Sequence, residues 1–137
     1  MSKWPVHKPR QVEFIQQHGK SDCGIACVAM LIGCMYESAR QLFKDFGKRL
    51  RGGLYPDDIF EVLEEIGYDN EELTELPKKG KALVAIQWKD SELSGHYVVW
   101  DAKRKQFLDP LHGVFNRKEL KKFAYIENIW RIFGEIK

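Results

Sequence analysis

The stretch SDCGIACVAMLIGCMY, from Ser21 to Tyr36, limits the fold more than any other part of the chain. Wound as a helix, it is apolar almost all round, and a helix of that kind has no face to give to water, so it must sit inside a domain. Asp22 stands where an N-cap is expected, and Gly33 weakens the far end. Everything else must be arranged to cover this element. A chain of 137 residues is long enough to do so as one domain, without disulfide staples.

Two further helices follow. In ESARQLFKDFGKR, Ala39, Leu42, Phe43 and Phe46 share one stripe, and the helix should end at the turn RGGLY. Pro56 opens PDDIFEVLEEIG, in which Ile59, Val62, Leu63 and Ile66 point inward. Asp57 and Asp58 favour the helix dipole at its start, and Gly67 serves as its C-cap. YDNEELTELPKKGK reads as a polar loop. Beyond it, the strand-length runs ALVAIQW, HYVVW, KQFLD and NIWRIF are broken by Gly, Pro and charged turns. The expected fold is α+β, with a helical half first and an antiparallel sheet second. One domain over 1–137 is expected, with residues 1–10 as a flexible lead-in.

Charge excludes some functions. With 22 basic and 20 acidic residues intermixed, the net charge of +2 leaves no footprint for nucleic acid. The densest basic run, RKELKK (Arg117 to Lys122), reads as the wet face of a short helix. No stretch is apolar and long enough to span a membrane, and MSKWPVHKPRQVEF lacks a signal peptide's apolar core, so a cytoplasmic protein is expected. Three cysteines, an odd number, argue against a disulfide framework.

The segment before the central helix admits three chemistries. Gly19-Lys20-Ser21 resembles the end of a phosphate loop, but Phe14 stands where that motif needs its first glycine. Cys23 and Cys27 share a helical face, yet Cys34, if the helix continued, would lie about 16 Å from Cys23, too far to share an ion. No metal and no cofactor is therefore expected, and Cys27 and Cys34 read as small buried hydrophobes. The third chemistry is nucleophilic. A cysteine in the first turn of a helix meets free N–H groups and a positive dipole end, both of which favour thiolate, and Gly24 leaves its approach open.

A thiol nucleophile needs a base, and the base needs an orienting group. Of His7, His18, His96 and His112, only His96 begins a strand. If HYVVW and KQFLD form a hairpin through Asp101-Ala102-Lys103-Arg104, Trp100 faces Lys105 and His96 falls opposite Asp109. Directly opposed residues have Cβ atoms about 4.5–5.5 Å apart, within reach for a carboxylate to hold an imidazole. One residue of slippage would put Asp109 on the other face.

Gln17 and Cys23 in the spacing Q-x5-C, then DCGIAC, GHYVVW and the dipeptide Asp109-Pro110, resemble the papain-like cysteine peptidases that remove double-glycine leaders from bacteriocin precursors. Members of that family are usually the front domain of an export transporter; here no membrane spans accompany the domain, so a free-standing form is expected. The resemblance runs from Gln11 to Phe133 and implies a papain-like fold. It implies that Cys23 attacks, that His96 is base and then acid, that Asp109 orients His96, and that Gln17 donates to the oxyanion hole. It also implies a peptide or protein substrate cut after small residues such as Gly-Gly. Gly52-Gly53 in the chain itself reads as a turn between helices rather than a cleavage site. Two other functions remain open: a weakly active or inactive peptide-binding adaptor walled by the lead-in, Trp88 and the SELSG loop, and acyl transfer or deconjugation on the same thiol.

Overall fold

The computed structural model describes residues 12–19, 22–50, 53–90 and 96–134. The lead-in with His7, the Lys20-Ser21 pair, Gly52 and the SELSG loop lie outside the described residues. The element order is α1 (Cys23–Ile32), α2 (Tyr36–Asp45), α3 (Pro56–Ile66), β1 (Tyr68–Leu73), β2 (Lys81–Trp88), β3 (His96–Asp101), β4 (Gln106–Asp109), β5 (Gly113–Phe115), α4 (Arg117–Phe123) and β6 (Ala124–Gly134). The strands form one antiparallel sheet in the order β1-β6-β2-β3-β4-β5. The fold is α+β, compatible with a papain-like one.

Every residue of α1 is buried, as its apolar circumference demands. The helix packs on β3 and α2 and stops at Ile32, where Gly33 takes the left-handed conformation (φ 71°) and returns its N–H to Ala29. It is shorter than the sequence suggested, so Cys34 lies beyond the helix rather than on it. In α2 the inward stripe is Tyr36, Ala39, Leu42 and Phe43, while Phe46 ends the helix and is partly exposed. The third helix runs as expected from Pro56, and Gly67 closes it at φ 113°.

Alternation along the strands sorts two cores. Leu83, Ala85, Tyr97, Val99 and Leu108 face the three long helices. Ala82, Val84, Ile86, Val98, Trp100 and Phe107 face the other way, where Leu120 of α4 and Leu76 cover them. Trp100 Nε1 donates to Pro77 O at 2.9 Å, fixing that cover. The basic residues of RKELKK ride on α4 around buried Leu120, with Asn116 and Glu119 closing a capping box.

The sheet corrects the sequence reading in three places. YDNEEL is an edge strand, not a loop: pairing with β6 fixes its backbone, and its charges suit an exposed edge. β6 is longer than NIWRIF, and the short β5 has no counterpart in the expected strands. The β3–β4 hairpin also closes later than expected. Asp101 pairs with Gln106 and Trp100 with Phe107, so the loop is Ala102 to Lys105, with Lys105 at φ 55°. Asp101 Oδ1 accepts from Lys103 N at 3.1 Å inside that turn. The slip is two residues, so Asp109 keeps its face and stands diagonal to His96 instead of opposite it.

Candidate active site

Cys23 opens α1, with its side chain buried at the helix N-terminus. Asp22, in the cap position, does not cap the helix. Its carboxylate turns back and accepts from His18 N (2.7 Å), Gly19 N (2.8 Å) and the Tyr36 hydroxyl (2.6 Å). Burial opposes its charge, but these donors hold its pKa below the ordinary value. His18 stacks on Tyr36 with ring centroids 3.6 Å apart. The loop before the cysteine is thus tied to the start of α2 through one carboxylate.

Gln17 is buried in that loop. Its backbone N–H donates to Pro110 O at 2.9 Å, joining the loop to the turn after β4. Its side-chain Nε2 donates to Gly19 O at 2.6 Å, and Oε1 has no partner among the described residues.

His96, at the first position of β3, lies on the sheet face opposite the helices but at the sheet's end, where it meets α1. Its Nε2 stands 2.8 Å from Asp109 Oδ1. The ring also hydrogen-bonds the Cys23 side chain; with Nε2 engaged by Asp109, Nδ1 is the nitrogen left for sulfur. Burial works against the imidazolium, but the hydrogen bonds to Asp109 and Cys23, and their charges, lift its pKa to about 9. Asp109 has a fully buried side chain. Burial opposes its charge too, yet His96, Leu111 N–H and His112 together keep its pKa below the ordinary value.

The four residues singled out in the sequence therefore fall in one region, with Cys23, His96 and Asp109 in a hydrogen-bonded line and Gln17 next to it. Burial pushes the Cys27 thiol well up and the Cys34 thiol to about 11, which makes both poor nucleophiles. Two further side chains, which no motif in the sequence ties to the catalytic centre, adjoin it. His112 Nδ1 stands 3.1 Å from Asp109 Oδ2, and the Trp88 ring lies 5.1 Å from His96 and 4.9 Å from His112. The signal for His112 was its spacing, three residues after Asp109 inside a turn. The donor atoms of His96, Asp109 and His112 lie within 4.8 Å of one another, so this trio, and not the Cys23/Cys27 pair, is the one that could hold a metal ion among the described residues.

The model of the Peptidase C39 family matches residues 11–122. The chain belongs to the Peptidase C39 family. The match contains Gln17, Cys23, His96 and Asp109 and most of the sheet. Membership makes this C39 domain a cysteine peptidase in the general sense, a hydrolase with peptide or protein substrates. Comparison with curated proteins finds no match. No helix among the described residues is long and apolar enough to cross a membrane.

Proposed function

We propose that this C39 domain, one unit over 1–137, hydrolyses a peptide bond through a Cys23 acyl-enzyme, after small residues such as Gly-Gly in a leader or other extended peptide. The observation that carries the proposal is the imidazole of His96 held between the Cys23 side chain and the buried Asp109 carboxylate. Proton transfer from sulfur to Nδ1 gives a thiolate at the positive end of α1 and an imidazolium stabilised by Asp109. The thiolate adds to the scissile carbonyl carbon, and the oxyanion is received by the Cys23 backbone N–H and the Gln17 amide. The imidazolium then protonates the leaving amine. Water, deprotonated by His96, releases the acid and restores the thiol.

The small-residue preference follows from the family resemblance; Gly24 is buried and faces Leu54 and Ile59 of the core, which its Cβ would meet at 3.4 Å, so it serves helix packing rather than opening the approach to the sulfur. The compartment proposed is the cytoplasm, and no nucleic acid is proposed as a partner. The test is turnover of peptides carrying a Gly-Gly junction, followed by mass. Cys23→Ala should abolish it while Cys27→Ala does not, and a thiol-directed inhibitor should mark Cys23 alone. Retained turnover in Cys23→Ala would overturn the proposal.

A second reading, a peptide-binding domain of low activity, is favoured by one observation. A cavity of about 1040 Å³ lies on the sheet face carrying Trp100 and Phe107, floored by Leu120 and Ile129 and edged by Lys78, Lys89 and Arg117. Cys23 does not line it. Tight binding of such peptides to the wild-type thiol form with no cleavage and no acyl-enzyme would support this reading over hydrolysis.

A further inference from the structure

We propose that His112 is a positioning residue: it fixes the plane of the Asp109 carboxylate so that Oδ1 stays aimed at His96 Nε2. This rests on the reading of His96 as the base. It extends that reading to a side chain that stands behind Asp109, on the far side from the sulfur.

Both oxygens of the buried Asp109 carboxylate accept hydrogen bonds. Oδ1 accepts from His96 Nε2 at 2.8 Å, Leu111 N at 2.9 Å and His112 N at 3.3 Å. Oδ2 accepts from His112 Nδ1 at 3.1 Å, its one donor among the described residues. The torsion that turns a carboxylate about its Cβ–Cγ bond is broad, so bonds to one oxygen leave the plane loosely set, whereas a donor on each oxygen fixes it. Asp109 has no solvent to supply a substitute, its side chain being wholly buried.

His112 is not held there by burial, because its side chain is half exposed. The ring is set by the Trp88 indole, which meets it edge-on at 76° and also lies against His96. One indole therefore spans the two imidazoles that share Asp109. The titratable groups facing this centre are Cys23 and Cys27 of α1, His96 of β3, Asp109 of β4 and His112 of the following turn. Among them, His112 is the one outside the Cys23–His96–Asp109 line that bonds the carboxylate directly.

The test uses the full chain and three variants: His112→Ala, His112→Phe and His112→Asn. Phe keeps a ring against Trp88 without the donor; Asn places an amide nitrogen where Nδ1 was without the ring. Cooperative melting confirms that each is folded, and the Ala variant can be dropped without losing the comparison. Three readouts are taken: the His96 ring titration by NMR, the rate of Cys23 alkylation against pH, and kcat and KM on a cleaved peptide.

With Asp109 less firmly aimed, His96 should titrate about half a unit lower in the Ala and Phe variants. Cys23 alkylation near neutral pH and kcat should fall about tenfold, part of the roughly 10²–10⁴ that a general acid–base group supplies, with KM little changed. Asn should restore wild-type behaviour to within about twofold. Rescue by Phe and not Asn would assign the ring to packing on Trp88 and overturn the proposal. So would a His96 titration that moves upward, since His112 would then be competing for the Asp109 charge. Wild-type behaviour in all three variants would make His112 a bystander. Loss of wild-type alkylation on adding EDTA would assign the trio to a bound cation instead. If no peptide is cleaved by the wild type while the NMR and alkylation readouts move as expected, the peptidase reading fails and the positioning role stands.

Discussion

Gln17 and Cys23 are placed chiefly by contacts close in the chain, Gln17 to Gly19 and His18 and Gly19 to Asp22, with Tyr36 as a more distant partner of Asp22. His96 and Asp109 are placed by a hairpin register, and their hydrogen bond spans thirteen residues. The nucleophile side therefore depends on local chemistry, a carboxylate gathering a loop onto a helix start. The base side depends on how strands count, and on a sheet face that buries Asp109 completely. Among the described residues a single bond joins the two at the backbone, Gln17 N–H to Pro110 O. Local construction tolerates the loss of one donor by degrees, whereas a site built on register and a buried charge should fail abruptly.

The largest expected effect tests that contrast on the base side. Asp109→Asn keeps the shape but removes the charge, and its amide would present a donor as readily as an acceptor to His96. The imidazolium loses its stabilising partner, and kcat should fall about 10²–10⁴-fold with KM little changed. The same substitution should bring the His96 pKa down from about 9, because the Asp109 hydrogen bond and charge are among the causes that raise it. Activity within a few-fold of wild type would mean that His96 does not depend on Asp109, and the two sides would not differ as described.

What the sequence could carry follows the same division. The helices were legible because an all-apolar circumference, a Pro56 start and Gly67 and Gly33 stops are local signals. β2 and β3 were legible as apolar runs. β1 was not, because YDNEEL has no inward alternation to read and becomes a strand through the hydrogen bonds β6 offers it. Cys23 was read from its place at a helix start, and Gln17 from the family spacing. His96 and Asp109 came together although the register was misjudged by two residues, since an even slip preserves the face and long side chains reach a diagonal neighbour. An odd slip would have lost the pair. A short carboxylate before a helix suits a cap, which is what the position of Asp22 suggests; its partners in the fold include Tyr36, fourteen residues away, which no local pattern announces. His112 and Trp88 meet only once the sheet is formed.

A smaller effect is expected on the nucleophile side. Asp22→Asn leaves one acceptor for the three donors now gathered by the carboxylate, and removes the charge that strengthens them. The loop carrying Gln17 should loosen by degrees: kcat/KM falling about tenfold, a fraction of what an oxyanion donor supplies, and stability falling by about 1–2 kcal/mol. Tyr36→Phe removes one of the three donors and should give a smaller loss of the same kind. If Asp22→Asn is as damaging as Asp109→Asn, the graded character assigned to this side is wrong.

A last contrast separates the two sides by pH, through stability rather than turnover. Asp22 and Asp109 both have folded pKa values below their unfolded ones. Their contributions are present above about pH 4 and are lost as pH falls through the folded values, so the acid limb of stability reports on both sides at once. His96 has a folded pKa of about 9, above its unfolded value. Its contribution is complete below about pH 6.5 and disappears as pH rises through about 9, so the alkaline limb reports on the base side together with the raised thiols of Cys27 and Cys34, which begin to cost stability as the unfolded chain's thiols ionise. Urea unfolding should show stability falling by on the order of 2 kcal/mol between pH 6.5 and 9.5 in the wild type. In His96→Gln that decline should flatten, while Asp22→Asn should keep it and lose part of the acid limb. Cys27 and Cys34 leave a residual decline in His96→Gln, but a decline as large as the wild type's would have to arise elsewhere, and the electrostatic tie between His96 and Asp109 would not be what holds this end of the sheet to α1.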